Sequence, residues 1–356
     1  MKRIALFLPN WIGDVVMATP AVRTVRDHFP AAELVAVCKP YVADTLAGSP
    51  WFDRVILFDK GGPADRRFLA VAKQLREKPT DAAVLFPNSL RAAVLARIGG
   101  CRRVVGFARY FRDALLTDRL YPTRNAHGRP KPVPVVDDYN RLVRRLGVSN
   151  QGHRLELFTT PADEAAADAA WHALGLTRFR AVVGLNPGGA FGAAKHWPTA
   201  YFAQLARHFA DQGCGVAVLC GPAERETARQ IAAEANRPAV VSLGERGMSL
   251  GLTKAAVRRL AMLVTTDSGP RHFAAAFDVP VVTLYGPTHI GWTETYFPKA
   301  IHLQKHLPCG PCQQRVCPLG HHRCMTDLHP AEVAAVADRL LRTFTDGPRQ
   351  ERRHAG

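Results

Sequence analysis

The chain has 356 residues, 47% of them hydrophobic and 22% charged, and its 47 Lys and Arg against 30 Asp and Glu give a net charge of +17. This length predicts about two domains, and the composition excludes an intrinsically disordered chain. No apolar run approaches the roughly 20 residues that span a bilayer. The apolar start is interrupted by Pro9, Asn10 and Asp14, and no small-residue cleavage site follows it, so a signal peptide is not expected.

We therefore expect a cytoplasmic protein with a basic surface. Such a surface attracts an anionic partner, which can be a nucleic acid, an acidic membrane or a phosphorylated substrate. The most basic tract runs over residues 102–147, with eleven Lys or Arg against four Asp, and it includes Arg109 and Arg112. Charge alone also fits a solvated face with no partner.

Short apolar strands alternate with helices along the first half of the chain. Strands are predicted at 4–8, 34–38, 55–58, 83–86 and 104–107, and helices at 18–29, 42–47, 68–75 and 139–146. This alternation predicts an α/β fold with a parallel, doubly wound sheet. Ligands bind such sheets at the carboxyl ends of the strands.

Two polar turns leave these strands at the predicted ligand edge. The first contains Asn10 and Gly13 and ends at Asp14, which either caps the next helix or acts as a general base. The second contains Asn88, Ser89 and then Arg91. G-x-G-x-x-G is absent, so this is not a dinucleotide fingerprint.

Residues 147–162 lack a clear periodicity and are predicted to link two domains. The alternating pattern then restarts, with a helix at 163–174, strands at 181–185, 216–220, 240–243, 263–265 and 281–284, and an amphipathic helix at 333–344. A polar and frayed tail is expected at 349–356.

The turns of this second half suit phosphate groups. Gly188, Gly189 and Lys195 follow a strand, as in a loop that surrounds phosphate, although the spacing is not that of a Walker motif. Glu224 begins a helix, where it either accepts hydrogen bonds from a ribose or favours the helix dipole.

The stretch from 263 to 288 is the predicted centre of the site. Asp267 or Ser268 can cap the helix that follows Gly269, and the start of that helix favours a phosphate. Alone, this stretch also fits an ordinary βαβ unit.

Four cysteines follow one another closely near the end of the second half. Cys309, Cys312, Cys317 and Cys324 could hold a structural zinc, or they could be free thiols that merely pack. The other four cysteines are expected to be buried thiols.

Several of these motifs together resemble glycosyltransferase family 9, the ADP-heptose–lipopolysaccharide heptosyltransferases, and most of all its heptosyltransferase II branch. The resemblance covers nearly the whole chain. It rests on N-W-I-G-D-V-V-M at 10–17, P-N-S at 87–89, A-K-x-W-P at 194–198, T-D-S-G at 266–269, L-Y-G-P-T at 284–288 and C-P-L-G-H-H-R-C-M at 317–325.

The resemblance implies two Rossmann-like domains that face each other across a cleft, the GT-B architecture. Residues 1–155 would bind the acceptor and 156–330 the nucleotide sugar, and the helix in 331–356 could pack back on the N-terminal domain. The same resemblance implies that Asp14 is the general base, that Lys195 contacts the diphosphate and that Glu224 contacts the ribose. It also places four residues in the nucleotide-sugar motif: Asp267, Ser268, Gly269 and His272.

The family's reaction is an inverting transfer of L-glycero-D-manno-heptose from ADP-heptose to the inner core of lipopolysaccharide. The partners are then ADP-heptose, the anionic core acceptor and the inner face of the cytoplasmic membrane, with no nucleic acid. No D-x-D pair is present for a divalent ion, so catalysis without a metal is expected. The expected acceptor residues are Asn10, Asn88, Ser89, Arg91, Arg109 and Arg112.

Three alternatives stay open at this point. A family member could use another sugar nucleotide or acceptor, and a nucleotide-binding regulator could lack catalysis altogether. A basic nucleic-acid-binding protein with a zinc module is the third, although its basic residues are not interleaved with stacking aromatic residues.

Overall fold

The structure is a computed structural model that describes residues 1–128, 131–149 and 152–345. The chain separates into two compact units. The first contains Met1–Asp163 and His289–Phe297, and the second contains Glu164–Thr288 and the chain from Pro298 onward. The predicted tail at 349–356 lies outside the described residues, and the predicted boundary at 155 stays a prediction.

Strands and helices alternate through both units. The strands are β1 (Arg3–Phe7), β2 (Glu33–Cys38), β3 (Arg54–Leu57), β4 (Thr80–Leu85), β5 (Cys101–Phe107), β6 (Asp118–Leu120), β7 (Val182–Asn186), β8 (Gly215–Val218), β9 (Val240–Ser242), β10 (Met262–Thr266), β11 (Val281–Tyr285) and β12 (Ala300–Gln304). The helices are α1 (Ile12–Met17), α2 (Thr19–His28), α3 (Pro40–Leu46), α4 (Phe68–Arg76), α5 (Leu90–Ile98), α6 (Val135–Arg144), α7 (Pro161–Ala173), α8 (Thr199–Asp211), α9 (Arg225–Ala235), α10 (Leu250–Arg258), α11 (Gly269–Ala276), α12 (Ile290–Thr293), α13 (Arg323–Thr326) and α14 (Pro330–Thr345).

Each unit is built on one six-stranded sheet. The first has the order β3-β2-β1-β4-β5-β6 and the second β12-β11-β10-β7-β8-β9, with parallel pairing between neighbouring strands. Counted from its own first strand, each sheet has the doubly wound order 3-2-1-4-5-6. The prediction of two doubly wound α/β halves is therefore confirmed.

The strand order reverses between β1 and β4 in one sheet and between β7 and β10 in the other. In open α/β sheets, ligands bind outside the carboxyl ends of the strands at this reversal. The turns that follow these four strands are the ones that the sequence singled out.

The predicted helix at 18–29 is observed as α2, and a further short helix that was not predicted, α1, precedes it. Pro20 lies in the first turn of α2 and has no backbone N–H with which to continue α1. The Thr19 hydroxyl donates to the Val16 carbonyl (2.7 Å), so one of the last carbonyls of α1 has a side-chain donor. The helix that carries Asp14 therefore ends at Met17, and α2 begins at Thr19.

The C-terminal helix α14 belongs to the core of the second unit. Its buried side chains, including Val333, Ala337 and Leu340, lie in one apolar cluster with Phe202 and Phe209 of α8. The apolar face of α14 is therefore covered within the second unit, and the expectation that this helix packs back on the N-terminal half stays a prediction.

No helix within residues 1–128, 131–149 and 152–345 is both long enough and apolar enough to span a membrane.

Candidate nucleotide-sugar and acceptor sites

Hydrogen bonds tie together the two turns at the reversal point of the second sheet. Asn186 ends β7 beside Thr265 of β10, and its amide donates to the Thr265 hydroxyl (3.0 Å) and to the Ser268 hydroxyl (2.9 Å). The Thr266 hydroxyl donates to the Gly188 carbonyl (2.8 Å). The glycine-rich loop after β7 is therefore fixed to the turn after β10.

A buried ion pair crosses between the same turns. Lys195 Nζ lies 2.6 Å from Asp267 Oδ2 and also donates to the Asp267 carbonyl (2.9 Å), and the Thr288 hydroxyl donates to Oδ2 (2.8 Å). Lys195 is 8% exposed and Asp267 is 5% exposed. Burial by itself would raise the Asp267 pKa, but the Lys195 and Arg271 charges and these hydrogen bonds hold that pKa below its ordinary value.

This pairing changes how Lys195 can act on a phosphate. The lysine was expected as a point charge on the loop, but its charge is balanced by Asp267 and its ammonium lies 4.6 Å from the centre of the Phe191 ring. An anion bound here would therefore meet a lysine that already has a carboxylate partner.

Helix α11 begins at the turn after β10, with Ser268 at its N-cap. The Ser268 side chain makes no capping hydrogen bond, so the expectation that this side chain caps the helix is wrong. Its hydroxyl is engaged by Asn186 instead. The first turn of α11, which contains Gly269 and Pro270, is therefore left without an acceptor from the Ser268 side chain.

His272 and Arg271 of α11 are both buried, at 3% and 2% exposure. Burial and the charge of Arg271 hold the His272 pKa well below its ordinary value, so this ring is neutral at pH 7. Arg271 lies with its guanidinium 5.5 Å from the centre of the Tyr285 ring and 3.2 Å from His302 Nε2. The neutral His272 brings no positive charge to a ligand.

Glu224 lies directly against the glycine-rich loop. Its Oε2 accepts from the Gly221 N–H (2.8 Å), so the carboxylate has the local role of closing its own turn. A Cβ on Gly188 would lie 2.7 Å from Glu224 Cδ, whereas a Cβ on Gly189 would approach nothing closer than 3.7 Å. Gly188 is therefore required for the close approach of Glu224.

In the first unit, Asp14 lies in the first turn of α1, just after β1. Its side chain is half-buried, and Asn10 before it is exposed and accepts from the Tyr41 hydroxyl through its carbonyl. Burial and the nearby Asp14 carboxylate raise the pKa of Tyr139, a buried residue of α6. Asp14 therefore lies at the reversal point of the first sheet, within electrostatic range of Tyr139.

Arg112 is fully buried and holds the P-N-S turn after β4. Its guanidinium donates to the carbonyls of Phe107 (2.8 Å) and Pro87 (2.7 Å) and to Asn88 Oδ1 (2.9 Å). Burial lowers the pKa of Arg112 to about 10. This differs from the expected acceptor contact, because the guanidinium is buried and already donates to carbonyl and amide oxygens of its own unit.

The other expected acceptor residues have different surroundings. The Ser89 hydroxyl caps α5 by accepting from the Ala92 N–H (3.1 Å). Arg91 is exposed and Arg109 is half-buried. Arg91 and Arg109 therefore keep their charge at or near the surface.

Residues 68–323 of the chain match the family model of glycosyltransferase family 9 (heptosyltransferase). The chain belongs to glycosyltransferase family 9. It is 27% identical to lipooligosaccharide heptosyltransferase 2 of Campylobacter jejuni, over 96% of this chain and 98% of that protein. It is 26% identical to lipopolysaccharide heptosyltransferase 2 of Escherichia coli, over 95% of this chain and 98% of that protein.

Solved structures share the fold of this family 9 chain. A family 9 glycosyl transferase from Veillonella parvula aligns with a TM-score of 0.83 at 24% identity, covering 96% of this chain and 97% of that one. The Escherichia coli ADP-heptose heptosyltransferase II aligns with a TM-score of 0.77 at 24% identity, covering 96% of this chain and 99% of that one.

The cysteines of this glycosyltransferase divide into two groups. Cys38, Cys101 and Cys214 are buried and Cys220 is half-buried, as packed thiols are, and burial raises the pKa of Cys38 and of Cys101 to about 12. In the second group, Cys309 is exposed and Cys312, Cys317 and Cys324 are half-buried. Within the described part of the chain, no group of three or more His, Cys, Asp or Glu could hold a metal ion, so the expected zinc is not supported.

Three residues that had no predicted role make hydrogen bonds inside the site: Asn186, Thr266 and Thr288. Thr266 and Thr288 stand in the quoted T-D-S-G and L-Y-G-P-T motifs, so a signal for them was present. Asn186 is the last residue of β7, and its role became visible only when β7 and β10 proved to be neighbours.

Proposed function

We propose that this glycosyltransferase moves L-glycero-D-manno-heptose from ADP-heptose to the inner core of lipopolysaccharide, with inversion at the anomeric carbon. The observation that carries the proposal is the joined pair of turns at the reversal point of the second sheet, where Lys195 and Asp267 meet. The similarity over nearly the full length to proteins named heptosyltransferase 2 supports the choice of heptose as the sugar.

In this proposal the second unit holds the donor. The diphosphate lies at the start of α11 and beside Lys195, because first-turn N–H groups and an ammonium both favour negative charge. Glu224 accepts hydrogen bonds from the ribose while its Oε2 stays on the Gly221 N–H. The departing ADP gains charge as the glycosidic bond breaks, and these groups stabilise that charge.

Asp14 is the proposed general base. Its carboxylate takes the proton of the acceptor hydroxyl while the hydroxyl oxygen attacks the anomeric carbon from the face opposite ADP. The new bond forms to the acceptor oxygen, and the bond to the ADP oxygen breaks with its electron pair. The half-buried position of Asp14 at the end of β1 fits a base that must reach a bound ligand.

The acceptor contacts are proposed for Asn10, Asn88, Arg91 and Arg109. Exposed or half-buried guanidinium groups such as those of Arg91 and Arg109 suit carboxylates and phosphates. Arg112 acts here as a positioning residue, because its buried guanidinium holds Asn88 and the turn around it.

The substitution Asp14→Asn tests the proposed base. We expect kcat to fall by at least about 100-fold, the usual contribution of a general base, with the Kd for ADP unchanged. Asp65→Asn, at an exposed position of the same unit, is the control and should leave both values unchanged. Transfer at the wild-type rate by the Asp14 variant would refute the base assignment.

The same assay decides among the alternatives. If the wild type transferred sugar from a UDP- or GDP-sugar and not from ADP-heptose, the family assignment would stand but ADP-heptose would be refuted as the donor. Binding of ADP-heptose with no transfer to any core acceptor would favour a regulator. We also propose that no divalent ion takes part, so activity should persist in excess EDTA.

We further propose that the protein acts at the inner face of the cytoplasmic membrane. Tyr110 and Phe111 follow Arg109 in the chain and are 66% and 100% exposed, and both have a left-handed backbone (φ 56° and 59°). Aromatic rings beside basic side chains suit the head-group region of an anionic membrane.

Co-sedimentation with vesicles tests this location. Wild-type protein should bind vesicles that contain phosphatidylglycerol more tightly than vesicles of phosphatidylcholine alone, and the Phe111→Ser variant should bind them less. Leu69→Ser removes another exposed apolar side chain (75%) elsewhere in the first unit and should leave vesicle binding unchanged. Equal binding by the wild type and the Phe111 variant would refute this docking surface.

A further inference from the structure

We infer that Arg315 is a second cation for the diphosphate of the donor. Arg315 lies on the cysteine-rich segment, which we define as residues 309–324. The inference rests on the proposed function, since it assigns a contact to the same nucleotide sugar.

The charges around Lys195 call for such a residue. Asp267 balances the charge of Lys195 within a buried pair, and His272 is neutral. A nucleoside diphosphate carries at least two negative charges at pH 7, and its leaving oxygen gains more as the sugar departs. The balanced pair and the Arg271 guanidinium, which is buried against Tyr285 and His302, meet that charge poorly, and a further exposed cation stabilises it.

The backbone of the cysteine-rich segment places Arg315 against the glycine-rich loop. The Arg315 carbonyl accepts from the Ala194 N–H (3.0 Å), and the Gln313 N–H donates to the Pro287 carbonyl (2.8 Å). His322 Nε2 lies 2.8 Å from the Ala194 carbonyl, a distance at which the ring donates to it. The segment is therefore fixed to the loop before Lys195 and to the turn after β11.

Gly192 allows the two backbones to approach each other this closely. Its φ is +151°, and a Cβ there would lie 2.5 Å from the Arg315 carbonyl oxygen. Because that contact is with backbone, it cannot be relieved by rotating a side chain. The glycine-rich loop is therefore shaped to receive Arg315 as well as to approach a phosphate.

The side chain of Arg315 points at the same ring as Lys195. Its guanidinium carbon lies 5.6 Å from the centre of the Phe191 ring, and Lys195 Nζ lies 4.6 Å from that centre. Arg315 is exposed, and within residues 1–128, 131–149 and 152–345 no carboxylate forms an ion pair with it. Its planar fork of N–H donors matches phosphate oxygens.

Two neighbouring arginines differ from Arg315 in this respect. Arg271 is buried against Tyr285 and His302. Arg323 is exposed on the same segment but forms an ion pair with Asp327 (3.0 Å). Arg323 is therefore the matched control, with the same charge, the same segment and a similar exposure.

Calorimetric titration of the full chain with ADP and with adenosine tests the contact. Arg315→Gln should weaken the binding of ADP by about tenfold or more, the usual loss when a charge-assisted hydrogen bond is removed, and should leave the Kd for adenosine unchanged. Arg315→Lys should recover part of the loss, since it keeps the charge but not the fork. Arg323→Gln should bind both ligands as the wild type does.

Two results would overturn the contact. ADP affinity that is unchanged in Arg315→Gln, or a loss equal for ADP and adenosine, would show that Arg315 does not touch the diphosphate. If the wild type bound UDP or GDP in place of ADP, the proposed donor would be refuted. The Arg315 variants titrated with that other diphosphate would then still decide the contact.

Discussion

Lys195 and Asp267 are each almost inaccessible to water, so at the residue scale each depends on the other. Taking a charge out of water is costly, and the cost is recovered only when an opposite charge and further hydrogen bonds are close. Thr288 supplies one of those hydrogen bonds. Removing either charge leaves the other buried without its counter-charge.

The variant Asp267→Asn should lower the free energy of unfolding of the second unit by about 3 kcal/mol or more at pH 7, because it strands the Lys195 ammonium. Urea unfolding or hydrogen exchange of β10 peptides would measure this loss. Asp211→Asn removes the carboxylate of an exposed ion pair with Arg237 in the same unit and should have little effect.

The same pair gives a pH dependence of known sign. Because the folded-state pKa of Asp267 lies below its ordinary value, its stabilisation is complete above the unfolded pKa of about 4 and is lost as the pH falls through the folded pKa. The stability difference between wild type and Asp267→Asn should therefore be constant from pH 7 to about 5 and shrink below about 4. A difference that grows on acidification would contradict the pairing.

At the scale of elements, the loop after β7 contains one glycine that packing requires and one that it does not. A Cβ on Gly188 would lie within 2.8 Å of Glu224 Oε1, whereas Gly189 has room for one. Gly188→Ala should therefore push the Glu224 carboxylate off the Gly221 N–H and cost about 1 kcal/mol of stability. It should also weaken the binding of ADP severalfold. Gly189→Ala should change neither the stability nor the affinity for ADP.

A double-mutant cycle of Gly188→Ala with Glu224→Ala separates this mechanism from a general distortion of the loop. If the alanine acts only by displacing Glu224, it should have no further effect on ADP affinity once Glu224 is gone. Additive losses, measured by the same titration, would contradict the mechanism.

The segment His289–Phe297 belongs to the first unit, although the rest of that unit ends at Asp163. The Tyr296 hydroxyl donates to Asp137 Oδ2 (2.7 Å), and the Tyr296 ring lies 4.5 Å from the ring of His153. The hydrogen bond to Asp137 raises the pKa of Tyr296 to about 12.

Tyr296→Phe should loosen this segment. Losing a hydrogen bond worth about 1 kcal/mol should speed hydrogen exchange of the 289–297 peptides by about fivefold. Tyr110→Phe, which changes another exposed tyrosine of the first unit, is the control. Unchanged exchange in the Tyr296 variant would mean that other contacts hold the segment.

At the scale of the whole molecule, two sheets with the same strand order each depend on their own apolar core. In the second unit that core includes α14, which the chain reaches only after β12. Leu340 of α14 is 6% exposed.

Leu340→Ala should therefore destabilise the second unit by about 2–5 kcal/mol. Hydrogen exchange followed by peptide should show the loss in β7 and α8. Ala335→Ser, at an exposed position of the same helix, should leave exchange unchanged. Faster exchange confined to the first unit would contradict the assignment of α14 to the second core.

The alternation of strands and helices, the turns after β1, β4, β7 and β10, and the family could all be predicted from the sequence. These features are local, since apolar periodicity, glycine spacing and short motifs are each contained in a few consecutive residues. Lys195, Asp267 and Glu224 were selected in this way, and the structure places all three around the loop after β7.

Only the tertiary structure decided what each charged side chain faces. Arg112 and Arg315 each have one polar and one apolar neighbour in the sequence, yet the first is buried among carbonyls and the second is exposed over Phe191. Lys195 was predicted as a lone charge and has a partner 72 residues away. Which side chains become partners depends on which strands become neighbours in the sheet. A local sequence pattern spans only a few consecutive residues, so it cannot show which distant residues come close in space.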